Sequence, residues 1–112
     1  MRAIAFYDAS LLPLGVVRVW TVSTAVGYGY PGGDEKLAIK ERQGATSPGA
    51  GFHVAFAART RPDVDAFFRA ALAHGGTDQG GPGLRPDYGV NYYAAFVEDP
   101  DGHRLEAVCH EP

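Results

Sequence analysis

The chain has 112 residues, of which 46% are hydrophobic and 21% are charged, and its formal net charge is −3. These values predict one globular domain spanning residues 1–112, and they give no reason to expect a nucleic acid or an anionic membrane as partner. No apolar run reaches the roughly eighteen residues that a membrane span needs. The N-terminus carries no signal-peptide pattern, so we expect a cytoplasmic protein.

The first half of the chain reads as one helix followed by three strands. Apolar and small residues recur at helical spacing from Ala3 to Leu14, and Gly15 closes the segment. Pro13 predicts that the regular helix ends shortly before this glycine. Strands are predicted over 16–20, 24–30 and 36–40. The polar Gly/Pro/Ser segment 41–50 is then a linker to the second half.

The second half reads as a strand, a helix and then two or three strands. The first strand is "FHVAFAA", residues 52–58, and the helix that follows begins at Thr60, a plausible N-cap, and ends at Gly75-Gly76. Residues 77–91 are rich in turn formers. Strands over 92–97 and 104–109 are joined by "EDPDG", whose Pro, Asp and Gly favour a tight turn.

The two helices look like copies of one unit. Residues 5–15, "AFYDASLLPLG", and 66–76, "AFFRAALAHGG", are identical at five of eleven positions with an offset of 61. The chain therefore divides into two modules, at about 1–42 and 51–112. The counterpart of strand 52–58 would lie before Met1, so we expect the first module to lack its opening strand.

Glu106 is the most unusual residue, because it interrupts an apolar strand where a carboxylate is costly unless it is paired. Strand alternation places Phe52, Val54 and Phe56 on the face that suits packing under a helix, and His53 on the other face. If both strands belong to one curved sheet, His53 and Glu106 can line its hollow side. Imidazole and carboxylate together suit zinc, iron, nickel or manganese. The alternative is a His–Glu hydrogen bond in a semi-polar pocket without metal, and these two residues alone favour that alternative.

Aromatic residues supply candidate pocket walls. Tyr28 and Tyr30 lie in the Gly-rich stretch 25–33, which predicts a hairpin because no helix follows it to form a phosphate loop. Trp20 is predicted to be a core residue, and so is Cys109, the single cysteine. The remaining candidate ligand-binding residues surround or share the strands of the second module: Tyr88, Tyr92, Tyr93 and Arg104.

The strand "GFHVAFAA", the helix "RPDVDAFFRAALAHGG" and the ending "YYAAFVEDPDGHRLEAVCH" together resemble the vicinal oxygen chelate superfamily. That group includes glyoxalase I, bleomycin and fosfomycin resistance proteins and extradiol dioxygenases. The resemblance covers nearly the whole chain, and "DPDGHRLE" is its most specific part. It implies an α+β fold, in which two βαβββ modules form a curved mixed-sheet cup around a small ligand, often in a dimer.

The resemblance also implies roles for particular residues. His53 matches the metal ligand on the first strand of the second module, and Glu106 matches the ligand, or catalytic base, on its last strand. The first module offers no ligand in register, unless the strand boundaries shift enough to bring in Glu35 or Glu41. A His that related sequences often carry before "YYAAF" is absent here.

Two functions follow from this partial match. One is a lyase, isomerase or dioxygenase with a degenerate metal site. The other is a non-catalytic binder that sequesters an antibiotic or another small organic compound. With two ligand positions filled, we expect divalent metal to be absent or weakly bound. The first module without its opening strand leaves an unpaired strand edge, which predicts a homodimer formed through that module. The alternative is that segment 41–50 replaces the lost strand within the chain.

Overall fold

The computed structural model describes residues 2–112, which form two α-helices, one 3₁₀ helix and seven strands. The first module contains a helix, α1, a 3₁₀ turn and three strands. The second begins with a strand, β4, which is followed by the helix α2 and three more strands. In chain order the elements are α1 (Arg2–Leu11), the 3₁₀ helix (Leu12–Leu14), β1 (Val17–Val22), β2 (Ala25–Gly29), β3 (Glu35–Lys40), β4 (Val54–Ala57), α2 (Arg61–Ala73), β5 (Thr77–Leu84), β6 (Tyr93–Glu98) and β7 (Arg104–Cys109).

The helix boundaries follow the local sequence signals. The regular part of α1 ends at Leu11, and the chain tightens into a 3₁₀ turn around Pro13 before Gly15 takes a left-handed φ of 79°. At the start of α2, the Thr60 hydroxyl accepts a hydrogen bond from the Asp63 backbone N–H at 3.2 Å, which confirms the predicted N-cap. No helix in residues 2–112 combines the length and the apolarity that crossing a membrane would require.

The strands form two separate sheets. The first is antiparallel, with the order β1-β2-β3, and the second is mixed, with the order β4-β7-β6-β5. In the second sheet β4 runs parallel to β7, whereas the other neighbours are antiparallel. The second module thus has the complete βαβββ order, and the α+β class predicted from the sequence is confirmed.

Residues 77–84, predicted as turn-rich, instead form the edge strand β5. Its pairing with β6 shifts register on both sides of Gly80, which has a positive φ of 140°. Glycines with such φ values create bulges, so a segment that looks like successive turns can still follow a neighbouring strand.

One hydrophobic core joins the two modules. Val54 and Phe56 of β4 pack against this core, as the predicted strand faces require, and Cys109 is buried within it. Trp20 lies at the margin instead, where its indole N–H donates to Glu35 at 3.0 Å. The fully buried aromatic and aliphatic residues come from both helices and both sheets: Phe6, Tyr7, Leu11, Val26, Tyr28, Val64, Phe67 and Val97.

Candidate functional site

Glu106 lies in the middle of β7 and is only 1% exposed. In the register of the second sheet it stands between Ala55 of β4 and Phe96 of β6. Its neighbours in β7, Leu105 and Ala107, point to the opposite face and belong to the core. The carboxylate therefore projects from the face of the sheet that the helices do not cover.

Two side chains contact this carboxylate. His53, directly before β4, places its Nε2 at 3.1 Å from one carboxylate oxygen, and its own side chain is 51% exposed. The Tyr92 hydroxyl, directly before β6, donates a short hydrogen bond to the other oxygen. Burial, and then the hydrogen bond to Glu106, raise the pKa of Tyr92 to about 12. Because both oxygens are paired, the burial of Glu106 carries a much smaller cost.

A cavity of about 200 Å³ opens beside His53. Its polar lining includes the Arg104 guanidinium, which lies 3.7 Å from Glu98, and the amide of Gln79. Three aromatic side chains provide apolar walls. These walls are Phe52, Tyr88 and Phe96, and Tyr88 also packs edge-on against Tyr92 with ring centroids 5.3 Å apart.

The structure therefore brings together five of the residues that the sequence singled out: His53, Tyr88, Tyr92, Arg104 and Glu106. These residues come from three strands or their flanks and from the loop before β6. We refer to them, with the adjacent cavity, as the Glu106 site.

The other three predicted ligand-binding tyrosines lie elsewhere. Tyr28 is fully buried in the first module and donates to Asp8 at 2.9 Å, and its burial and this bond raise its pKa. Tyr30 is 53% exposed at the end of β2. Tyr93 points to the helix side, where its hydroxyl donates to Asp65 at 2.6 Å and the bond raises its pKa.

The donor set of the Glu106 site fits a metal poorly. His53 and Glu106 supply two ligand groups, and no cluster of three His, Cys, Asp or Glu residues occurs within residues 2–112. A catalytic zinc takes about three protein ligands. Neither alternative carboxylate completes the set, because Glu35 binds Trp20 and Glu41 is exposed beyond the end of β3.

Six lining residues were not identified as site residues from the sequence: Gly51, Phe52, Gln79, Phe96, Val97 and Leu105. The sequence could have indicated Phe96, because strand alternation places it on the same face as Tyr92. In the sheet, Phe96 pairs with Glu106 across β6 and β7. Alternation over 52–58 predicts that Phe52 faces the core, but this residue is 41% exposed and lines this cavity. The strand proper begins only at Val54, so alternation does not fix the direction of Phe52. Gln79 lies in β5, which the sequence did not reveal.

We predict that Tyr92→Phe lowers the free energy of unfolding at neutral pH by about 1 to 2 kcal/mol, because the buried carboxylate loses a donor. Tyr30→Phe, which removes an exposed hydroxyl, is the matched control and should change little. Chemical denaturation of both variants measures the difference. Equal stability of Tyr92→Phe and the wild type would show that the bond to Glu106 contributes nothing.

The same pair gives an alkaline pH dependence. The pKa of Tyr92 in the folded state is raised above its ordinary value of 10, so its contribution is complete below pH 10 and disappears as the pH passes about 12. The stability difference between wild type and Tyr92→Phe should therefore shrink over this interval.

Comparisons with known proteins agree with this architecture. A family model of the glyoxalase/bleomycin resistance protein/dioxygenase superfamily matches residues 1–107. A glyoxalase/bleomycin resistance protein from Albidiferax ferrireducens T118 is 33% identical, with a TM-score of 0.80 over 99% of this chain and 88% of that chain. Among proteins with curated descriptions, none matches this sequence.

More distant structures share the fold. A glyoxalase-related enzyme from Fulvimarina pelagi is 21% identical, with a TM-score of 0.72 over 96% of this chain and 78% of that one. A lactoylglutathione lyase from Agrobacterium tumefaciens is 19% identical, with a TM-score of 0.63 over 96% and 83%. By its match to the family model over almost its whole length, this chain belongs to the glyoxalase/bleomycin resistance protein/dioxygenase superfamily.

Proposed function

We propose that the protein binds a small organic molecule in the Glu106 site. The observation that carries this proposal is the buried Glu106 carboxylate, which contacts Tyr92 and His53, together with the cavity of about 200 Å³ that His53 lines. A concave site with aromatic walls and a few converging polar groups is the usual form of a small-molecule site. Membership of the superfamily supports the same assignment.

The lining suggests which chemistry the ligand has. Arg104 and Gln79 can donate hydrogen bonds to oxygen atoms, and the exposed imidazole of His53 can donate or accept. Phe52 and Phe96 offer flat apolar contacts. We infer a planar or near-planar ligand that carries adjacent oxygen atoms, at least one of them negatively charged.

Two functions remain for such a site. In an enzyme, Glu106 would accept a proton from the ligand while Tyr92 and His53 hold the carboxylate in place. In a binder, the same contacts would only sequester the compound. The relatives bear names of both kinds, a lactoylglutathione lyase among them. The two-ligand donor set favours a binder or a metal-independent enzyme over a metal-dependent lyase.

We predict that salicylate, an aromatic anion with adjacent oxygens, binds in this site and shifts the NMR signals of the His53 imidazole. Arg104→Met should weaken binding by about tenfold, because a charge-assisted hydrogen bond to the anion is lost. Arg69→Met removes an exposed arginine of α2 and is the charge-matched control.

If salicylate shifts His53 equally in both variants, Arg104 does not hold the anion. If the His53 signals do not shift even at millimolar salicylate, the proposed ligand class is wrong.

To separate the two functions, the same samples can be followed for turnover of a panel of adjacent-oxygen compounds. Formation of a product by the wild type, and its loss in Glu106→Gln, would establish catalysis.

We also predict that purified protein holds no tight stoichiometric divalent metal, since residues 2–112 supply two ligand groups at the Glu106 site. Elemental analysis after dialysis against zinc, nickel, iron or manganese tests this. Retention of one metal per chain that is lost in both His53→Ala and Glu106→Gln would contradict it. Such a result would mean that a further metal ligand is supplied by a second chain.

We propose further that the protein is a homodimer formed through its first module. Within residues 2–112, β1 and β3 pair only with β2, so each keeps one free edge. Such edges favour pairing with another chain. Lys36 and Lys40 oppose pairing at β3, since lysines on an edge strand discourage association. We therefore assign the interface to β1, beside the exposed Leu12 and Val22.

This assignment predicts that Val22→Lys converts the dimer to a monomer, because it places a charge on the paired edge. Val22 is 58% exposed. Val90→Lys is the control, because Val90 is 90% exposed but lies in the loop before β6 of the second module. Light scattering at micromolar concentration measures the mass. A monomeric wild type, or a dimer that survives Val22→Lys, would overturn the assignment.

A further inference from the structure

A second cavity lies at the junction of the two modules, on the other side of β7 from Glu106. Its mouth, of about 410 Å³, lies between the end of β3, the segment 41–50 and the turn before β7. An inner chamber of about 210 Å³ lies beside it, toward the core. Ile39, Lys40 and His103 line both spaces, so the two adjoin. We call them together the junction cavity.

The mouth is positively charged. Arg2, Lys40 and Arg42 line it, and Asp101 is its one acidic lining residue. Asp101 pairs with Arg2 at 2.8 Å, which leaves the charges of Lys40 and Arg42 uncompensated within the lining. Two hydroxyl groups, from Thr46 and Ser47, are further possible donors to an anion.

His103 is held in a fixed orientation at the boundary between mouth and chamber. Asp99, whose side chain is 1% exposed, accepts the His103 Nδ1–H at 2.9 Å. The same carboxylate accepts the Tyr7 hydroxyl at 2.5 Å and the backbone N–H groups of Asp101 and His103 at 2.9 and 2.8 Å. With Nδ1 engaged, the Nε2 of His103 is the ring nitrogen left for a ligand.

The chamber is apolar, in contrast to the mouth. Its walls come from β3, from β7 and from β4 with the residue two positions before it. Tyr7 contributes from α1, with its hydroxyl already used by Asp99. The apolar lining residues are Leu37, Ala38, Ile39, Phe52, Val54 and Leu105.

We propose that the junction cavity binds a small amphiphilic anion, with its charged head in the mouth and a short apolar chain in the chamber. Lys40, Arg42 and His103 face the head, and the chamber removes the chain from water. The cations of the mouth by themselves would hold any anion. The apolar chamber adds the preference for an anion that carries an apolar chain. The chamber shares two apolar walls, Phe52 and Leu105, with the cavity beside His53. The polar groups of the two sites differ, since Lys40, Arg42 and His103 line the junction cavity, whereas Gln79 and Arg104 line the other.

Calorimetric titration of the full chain with octanoate at about pH 8 tests the proposal, because the carboxylate is then ionised. Acetate carries only the head, and octan-1-ol only the chain. We expect octanoate to bind about tenfold or more tightly than either, and affinity to rise roughly two- to fourfold for each methylene added from butanoate onward. An octyl phosphate arm shows whether a phosphate head is preferred.

Three variants locate the site. Lys40→Met should weaken octanoate binding by about fivefold, whereas Lys36→Met, on the same strand but outside the junction cavity, should not. Arg104→Met should also leave octanoate affinity unchanged. The proposal is overturned if octanoate shows no saturable binding at millimolar concentration, or if octan-1-ol binds equally well. It is overturned too if Lys36→Met matches Lys40→Met, or if Arg104→Met abolishes binding.

Discussion

The need to pair one buried carboxylate constrains the whole second sheet. Glu106 is held in a central strand, β7, so the partners of its carboxylate must come from the neighbouring strands on either side. The parallel pairing of β4 with β7 brings His53 to one oxygen, and the start of β6 brings Tyr92 to the other. Because an unpaired buried charge costs several kcal/mol, this arrangement of strands and this site depend on each other.

Strand alternation places the polar Glu106 and the apolar core residues of β7 on opposite faces of the sheet. Leu105, Ala107 and Cys109 belong to the shared core, while the Glu106 carboxylate on the other face contacts His53 and Tyr92. A shift of one residue in the pairing of β7 would exchange these faces, burying the carboxylate in the core. The large apolar area on one face therefore fixes the geometry of the polar groups on the other.

Sequence reasoning succeeded where the determinants were local or periodic. The Thr60 cap, the end of α1 before Pro13 and the opposite faces of Val54 and Glu106 follow from signals within a few residues. It did not reveal β5, whose glycines hide the strand pattern and whose pairing depends on β6. The positions of Tyr28 and Tyr93 also depend on distant partners, since their hydroxyls bond carboxylates on the helices.

Those two tyrosines belong to a pattern that extends through the molecule. Four of the six tyrosines donate to a carboxylate, in the pairs Tyr7–Asp99, Tyr28–Asp8, Tyr92–Glu106 and Tyr93–Asp65, and each has a raised pKa. A neutral phenol satisfies a carboxylate without bringing a second charge out of water, so it costs less than a buried ion pair. Three of these pairs join a helix to a strand or turn. Tyr92–Glu106 is the exception, because it joins two neighbouring strands of the second sheet and belongs to the Glu106 site.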